Sequence, residues 1–110
     1  MGRRAPEKDF SDMLRLYLEA HSWSSYKTHG SMYMQGWPDL YCMHPSKGTR
    51  WVETKAPGGK LRDSQRSMFI KWDKFGVHVW VLAPLQLTLQ LSLWYGLRLL
   101  DEPPNWKDFI

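Results

Sequence analysis

The sequence predicts an α/β fold: a small mixed β-sheet flanked by helices, in the order helix, three strands, helix, strand (αβββαβ). Three observations lead to it. Apolar residues recur at helical spacing near the start (Phe10, Met13, Leu14, Tyr17, Leu18), and Gln65, Met68, Phe69 and Trp72 share one face of a second amphipathic helix. Short extended runs bounded by turn residues lie between them. Finally, Val77–Leu82 is a β-branched, largely apolar run of the kind a sheet buries on both faces.

Pro6 suits a first helical turn, and Glu7, Asp9 and Asp12 lie near its positive end, so the first helix is predicted over about 6–21. Ser22 to Gln35 is mixed, and we read a short strand followed by a loop. Gly36-Trp37-Pro38 signals a turn, after which Asp39 to Met43 is extended. Pro45 to Gly48 turns the chain again, and Arg50 to Lys55 forms the partner strand of a hairpin. Ala56-Pro57-Gly58-Gly59 stops that strand, and the second helix runs from Asp63 to about Phe75, where Gly76 ends it. From Leu85 to Leu93 every second residue is Leu, which predicts a half-buried strand, although Leu and Gln favour helices. Pro103 and Pro104 break regular structure in the tail, leaving Trp106 to pack back on the body.

With 110 residues, 43% of them hydrophobic, the chain suits one domain over 1–110 with one core. Its only cysteine, Cys42, excludes an internal disulfide and a cysteine-built zinc site, as expected in a reducing compartment. The polar first dozen residues form no signal peptide, and no apolar run approaches the length of a membrane span. A soluble cytoplasmic protein is the expectation. Between Lys47 and Lys74 eight basic residues stand against three acids, a net +5, while the rest of the chain holds seven against eight, a net −1. Such a basic middle is either a polyanion-binding face or an ordinary solvated one.

The residues with chemistry to offer are Asp39, at a strand start, and Glu53 and Lys55, two apart on the next strand and so on one face. If those strands pair, the two carboxylates meet, and a hard divalent cation such as Mg²⁺ between them would relieve their repulsion. With Lys55 beside them, this is what phosphodiester hydrolysis needs: charge placed to stabilise developing negative charge. An Asp followed by a Glu-x-Lys is common, however, and elsewhere is usually a solvated strand face.

The wider string is more specific. Gly36-Trp37-Pro38-Asp39-Leu40, Trp51-Val52-Glu53-Thr54-Lys55-Ala56, Gly59-Lys60-Leu61 and then Gln65 resemble the PD-(D/E)XK nucleases, and more narrowly their VRR-Nuc branch, with Glu7 and Phe10 matching its helix motif. The likeness covers roughly 6–82; the short, Leu-rich end departs from it. It implies a restriction-endonuclease-like core and a Mg²⁺-dependent DNA endonuclease, with Mn²⁺ as a substitute. By this resemblance Asp39 and Glu53 are metal-binding acids, Thr54 supplies a metal-bridging carbonyl, Lys55 is the catalytic lysine, Gln65 the active-site glutamine, and Glu7 orients a metal or its water. A phage or bacterial source is also implied only by resemblance.

Lys60, Arg62, Arg66, Lys47 and Arg50 are the candidate DNA contacts within the basic segment. Trp23, Tyr26, Tyr33 and Trp37 have the chemistry to stack on bases, yet so small a chain needs most of its aromatics for its core. His21, His29, His44 and His78 lack metal-ligand spacing; His78 reads as a core residue and His29 lies where it can touch a phosphate. No base-reading module is recognisable, so structure-selective cleavage, as of a Holliday junction, is expected over sequence-selective cleavage. The apolar surplus from Leu85 to Leu100 suggests a homodimer acting on branched DNA. The rivals are a nicking or partner-targeted nuclease, a catalytically silent DNA-binding domain, and a protein-interaction domain using exposed Trp residues.

Overall fold

The computed structural model describes residues 6–28, 35–85 and 88–110, with side chains from Asp9 onward. Eight elements follow in order: α1 (Pro6–Glu19), β1 (Ser24–Lys27), β2 (Leu40–His44), β3 (Gly48–Thr54), α2 (Asp63–Lys74), β4 (Val79–Leu82), α3 (Leu89–Leu99) and a 3-10 helix (Trp106–Phe109). The four strands form one sheet in sequence order, β1-β2-β3-β4; the first two pairings are antiparallel and β3–β4 is parallel. This is the mixed sheet flanked by helices that the periodicities predict, and its crossover is supplied by α2.

The two faces of the sheet bury different things. Phe10, Leu14 and Leu18, one stripe of α1, pack with Leu93 and Leu100 from the α3 segment onto Leu40, Cys42, Val52, Trp80 and Leu82. On the opposite face Phe69 of α2 and Trp106 of the 3-10 helix cover Val79 and Val81. All four residues of β4 are buried, as its apolar run requires. Trp106 packs back as predicted, with Asn105 beside it donating to Val81 O at 2.9 Å and accepting from Val81 N at 2.7 Å.

Two expectations are corrected. The alternating leucines do not form a strand over 85–93: the chain is helical from Leu89, and within 86–87 it lies outside the described residues. Burial falls on Ser92, Leu93, Gly96 and Leu100, a helical spacing that alternation cannot produce. Thr88 fixes the start, its side chain accepting from Leu91 N at 3.1 Å, so a cap and good helix formers prevail over the pattern. His78 is not a core residue either; it is exposed one position before β4 and pairs with Asp73 at 3.1 Å. Among the described residues no helix is long and apolar enough to cross a membrane.

Gly96 sits inside α3 with space beside it: a Cβ there would lie 3.6 Å from Leu14 Cδ1 and from Leu82 Cδ1, ordinary contact distances. Gly96→Ala should therefore raise stability by about 0.5–1 kcal/mol, the helical advantage of Ala over Gly. Thr88→Ala should lower it by about 1 kcal/mol, with Ser restoring most of the loss. Urea unfolding midpoints check both, and a lower midpoint for Gly96→Ala would contradict the helix packing described.

Candidate active site

Asp39 and Glu53 meet because of strand register. Leu40 pairs with Val52, so the position before β2 falls opposite Glu53, and Asp39 N donates to Glu53 Oε1 at 3.2 Å. Thr54 then anchors the Asp39 side chain, its backbone N donating to Oδ2 at 2.9 Å and its hydroxyl to the same oxygen at 2.6 Å. Thr28 holds the backbone on both sides of the bond preceding Asp39: its N donates to Asp39 O at 2.9 Å, and its hydroxyl donates to Pro38 O. Gly36, at φ +84°, lets this turn approach α2; a Cβ there would stand 3.1 Å from Ser64 O.

Glu53, Lys55 and Gln65 form one buried network, at 1%, 7% and 0% exposure. Gln65 is its centre: it donates through Nε2 to Glu53 Oε2 at 2.7 Å and accepts through Oε1 from Lys55 Nζ at 2.7 Å. Its Oε1 also accepts from Arg62 N at 3.2 Å, the side-chain return of a third helical position to the helix start, which is why this glutamine turns inward. Lys55 Nζ lies 3.3 Å from Glu53 Oε2, and its backbone N donates to Leu82 O at 2.9 Å, extending the parallel pairing past β3. Gly59 folds the following turn onto Lys55, where a Cβ would come within 3.3 Å of the lysine's own. Among the described residues no buried side-chain nitrogen or oxygen lacks a hydrogen-bond partner.

Burial first, and then the neighbouring Asp39 charge, push the Glu53 carboxyl up from 4.5 to about 7, against the opposing pull of Gln65 and Lys55. A buried acid beside a second acid is a place where a cation replaces a proton. Among the described residues no group of three or more His, Cys, Asp and Glu gathers to hold a metal. Two neighbouring carboxylates nonetheless offer the oxygen ligands that suit Mg²⁺, which keeps several waters and takes few protein ligands.

The other candidates divide. Glu7 lies in α1, but its side chain falls outside the described residues, as do His29 and Tyr33. Lys60, Arg62 and Arg66 are exposed at the start of α2, beside Gln65, with Arg66 ion-paired to Asp63 at 3.1 Å. Lys47 and Arg50 are near the far end of the β2–β3 hairpin; at about 3.3 Å per residue, Lys47 is about 20 Å along the strand from Glu53. There Lys47 pairs with Asp101 at 2.8 Å, while Arg50 donates to Leu100 O at 3.0 Å and lies over Trp80 at 4.9 Å. The Thr54 hydroxyl is a site group that the strand pattern does not single out. A hydroxyl one residue before the lysine is its sole sequence signal.

Comparison with curated proteins finds no match. Among solved structures, Archaeoglobus fulgidus Hjc, described as a Holliday junction resolvase from an archaeal hyperthermophile, is similar with a TM-score of 0.57 at 15% identity, over 74% of this chain and 70% of that one. A Silicibacter pomeroyi protein of unknown function gives a TM-score of 0.48 at 13% identity, over 82% of this chain and 60% of that one. The first establishes a shared restriction-endonuclease-like fold. The VRR-NUC domain model matches residues 6–83, a span that holds Asp39, Glu53, Lys55 and Gln65, and the chain belongs to this family of nuclease domains.

Proposed function

We propose that the chain is a divalent-cation-dependent DNA endonuclease selective for branched DNA, of the Holliday-junction-resolving kind, working in the cytoplasm of a bacterial or phage-infected cell. The observation that carries this reading is the convergence of Asp39, Glu53, Lys55 and Gln65 at one end of the sheet. A resolvase on the same fold supports the choice of junctions. A catalytically silent DNA binder is disfavoured, because two acids facing a phosphate only repel it.

Asp39, Glu53 and the Thr54 carbonyl would hold Mg²⁺, or Mn²⁺ in its place, with Glu7 of α1 orienting it or a water. Once bound, the cation supplies polarisation of the phosphate and lowers the pKa of an attacking water. Thr54 keeps the Asp39 carboxylate in one orientation, and Gln65 does the same for Glu53 and Lys55. Lys55, held by Gln65, presents fixed positive charge to the pentacovalent phosphate as negative charge grows, which needs no reorganisation during the reaction. Lys60, Arg62 and Arg66 border the site as phosphate contacts; Lys47 and Arg50, bound into the far end, are assigned to the fold.

We further propose a homodimer paired through α3, whose Leu89, Leu91, Trp94 and Tyr95 remain 42–49% exposed. Two-fold symmetry gives two sites at fixed separation, as paired incisions require. Light scattering should give the mass of two chains at micromolar concentration, and the mass of one chain with and without DNA would overturn the pairing.

Asp39→Asn and Glu53→Gln should each abolish cleavage of a labelled four-way junction in Mg²⁺ while DNA binding and the fold persist, and Lys55→Ala should slow cleavage by about 10²-fold or more. Flap and linear duplex substrates, and EDTA, complete the assay. Unchanged cleavage by both acid variants would end the metal-site reading, and equal rates on junction and duplex would end the selectivity.

Glu53 also makes stability depend on pH. Its folded pKa, about 7, lies above the unfolded 4.5, so within that window the folded protein holds a proton that the unfolded chain has lost. The metal-free protein should therefore be destabilised as pH rises through the window, by up to about 3 kcal/mol, and Glu53→Gln should remove that component. Urea unfolding in EDTA at pH 5 and pH 8 measures it; an identical pH response in the variant would contradict the burial of an ionisable Glu53.

A further inference from the structure

We propose that the half of the sheet's site face left uncovered among the described residues is a stacking platform for unpaired nucleobases, formed by Tyr26, Tyr41 and Trp51 and ending at the catalytic acids. This rests on the DNA-directed function above and specifies which part of the substrate the protein grips.

Register places the three rings in one row. Tyr26 of β1 pairs with Tyr41 of β2, and Tyr41 pairs with Trp51 of β3. Directly paired residues point to the same side of a sheet, and residues two apart share that side. Tyr41 is therefore on the face of Asp39, two residues away, and Trp51 on the face of Glu53. Neighbouring strands are about 4.8 Å apart, so the row spans roughly 10 Å, enough for about two bases.

The row is firm at one end and open at the other. Trp51 is clamped by Tyr41 at 4.5 Å between ring centres, by Trp37 at 5.6 Å and by Trp72 at 5.2 Å. Phe69 and Trp106 close the β4 side of this face, but Tyr26 is 53% exposed at the other edge. The opposite face already has its core, which includes Trp23, so Tyr26 contributes nothing to that packing. Aromatic rings grouped on one face of a sheet bind bases through stacking without reading their edges, and this suits strands unpaired at a branch point. The cationic start of α2, Arg62 and Arg66, lies beyond the acids and fits the phosphates of the same strand.

The test uses the full chain in EDTA, so that no DNA is cut, with a fluorescent oligothymidylate and a duplex of equal length as probes. Tyr26→Ala should weaken oligothymidylate binding about fivefold or more and leave duplex affinity within about twofold. Tyr26→Phe should bind as the wild type does. The salt dependence should be unchanged in Tyr26→Ala but lose about 0.7 in log–log slope on the single strand in Lys60→Glu, because stacking releases no counterions. Tyr41→Ala, on a second strand, is an independent variant with the same expectation. Wild-type affinity for oligothymidylate in both Ala variants, alongside intact duplex binding, would overturn the platform alone. Failure of the wild type to bind either probe would overturn the DNA-directed function with it.

Discussion

Two carboxylates held side by side repel each other, and Glu53 bears that repulsion while only 1% exposed to water. Removing one partner from a buried charged pair costs about 3–5 kcal/mol in typical cases, so the surroundings of Glu53 have little freedom to vary. Lys55 and Gln65 must both reach it. Gln65 does so only if α2 begins at Asp63, and α2 sits there only because Gly36, in the turn before Asp39, lets the backbone approach Ser64. The hairpin register, the helix start and two glycine turns are therefore parts of a single electrostatic arrangement.

That arrangement also separates the sheet's two faces. On one, α1 and α3 close a continuous apolar core, and Arg50 caps its end by lying over Trp80 and bonding Leu100 O. On the other, the core around Phe69 and Trp106 is confined to β4 and the adjoining part of β3. The polar network interrupts it at Glu53, where the buried groups bring their own hydrogen-bond partners in Gln65 and Lys55. The consequence, among the described residues, is a stable scaffold behind the site and an incompletely covered surface in front.

Much of this was legible in the residues. Period-2 and period-3.6 patterns placed α1, the β2–β3 hairpin, α2 and β4 to within about two residues, since each has one buried stripe or face. The acids and lysine were legible because strand parity is local: Glu53 and Lys55 share a side whatever else the chain does. What failed was long-range. The leucines after Pro84 alternate, but the face they bury is chosen by contacts of Leu93 and Gly96 with α1 and β4, which no local period records. The basic segment likewise counts Lys47 and Arg50 with Arg62, although the strand carries them to opposite ends of the sheet. Charge sums along a chain do not see direction. The anchoring of Asp39 by Thr54 was invisible for a related reason, being a contact across a hairpin from a residue whose type fits any strand.

For the proposed reaction, charge balance at the site leaves the scaffold alone short of positive charge. Asp39 and Glu53 against Lys55 sum to −1, and the positive member is already engaged with Glu53 Oε2 and Gln65 Oε1. A phosphodiester brings a further negative charge, so the bare site repels its substrate, and the exposed Arg62 and Arg66 at the start of α2 lie where screening weakens them most. A proton on Glu53 would neutralise the site but leave nothing to stabilise charge growing on the phosphate. A divalent cation turns −1 into +1 and does both. The raised Glu53 pKa and the metal dependence we propose are thus two expressions of one deficit, created by burying an acid beside an acid.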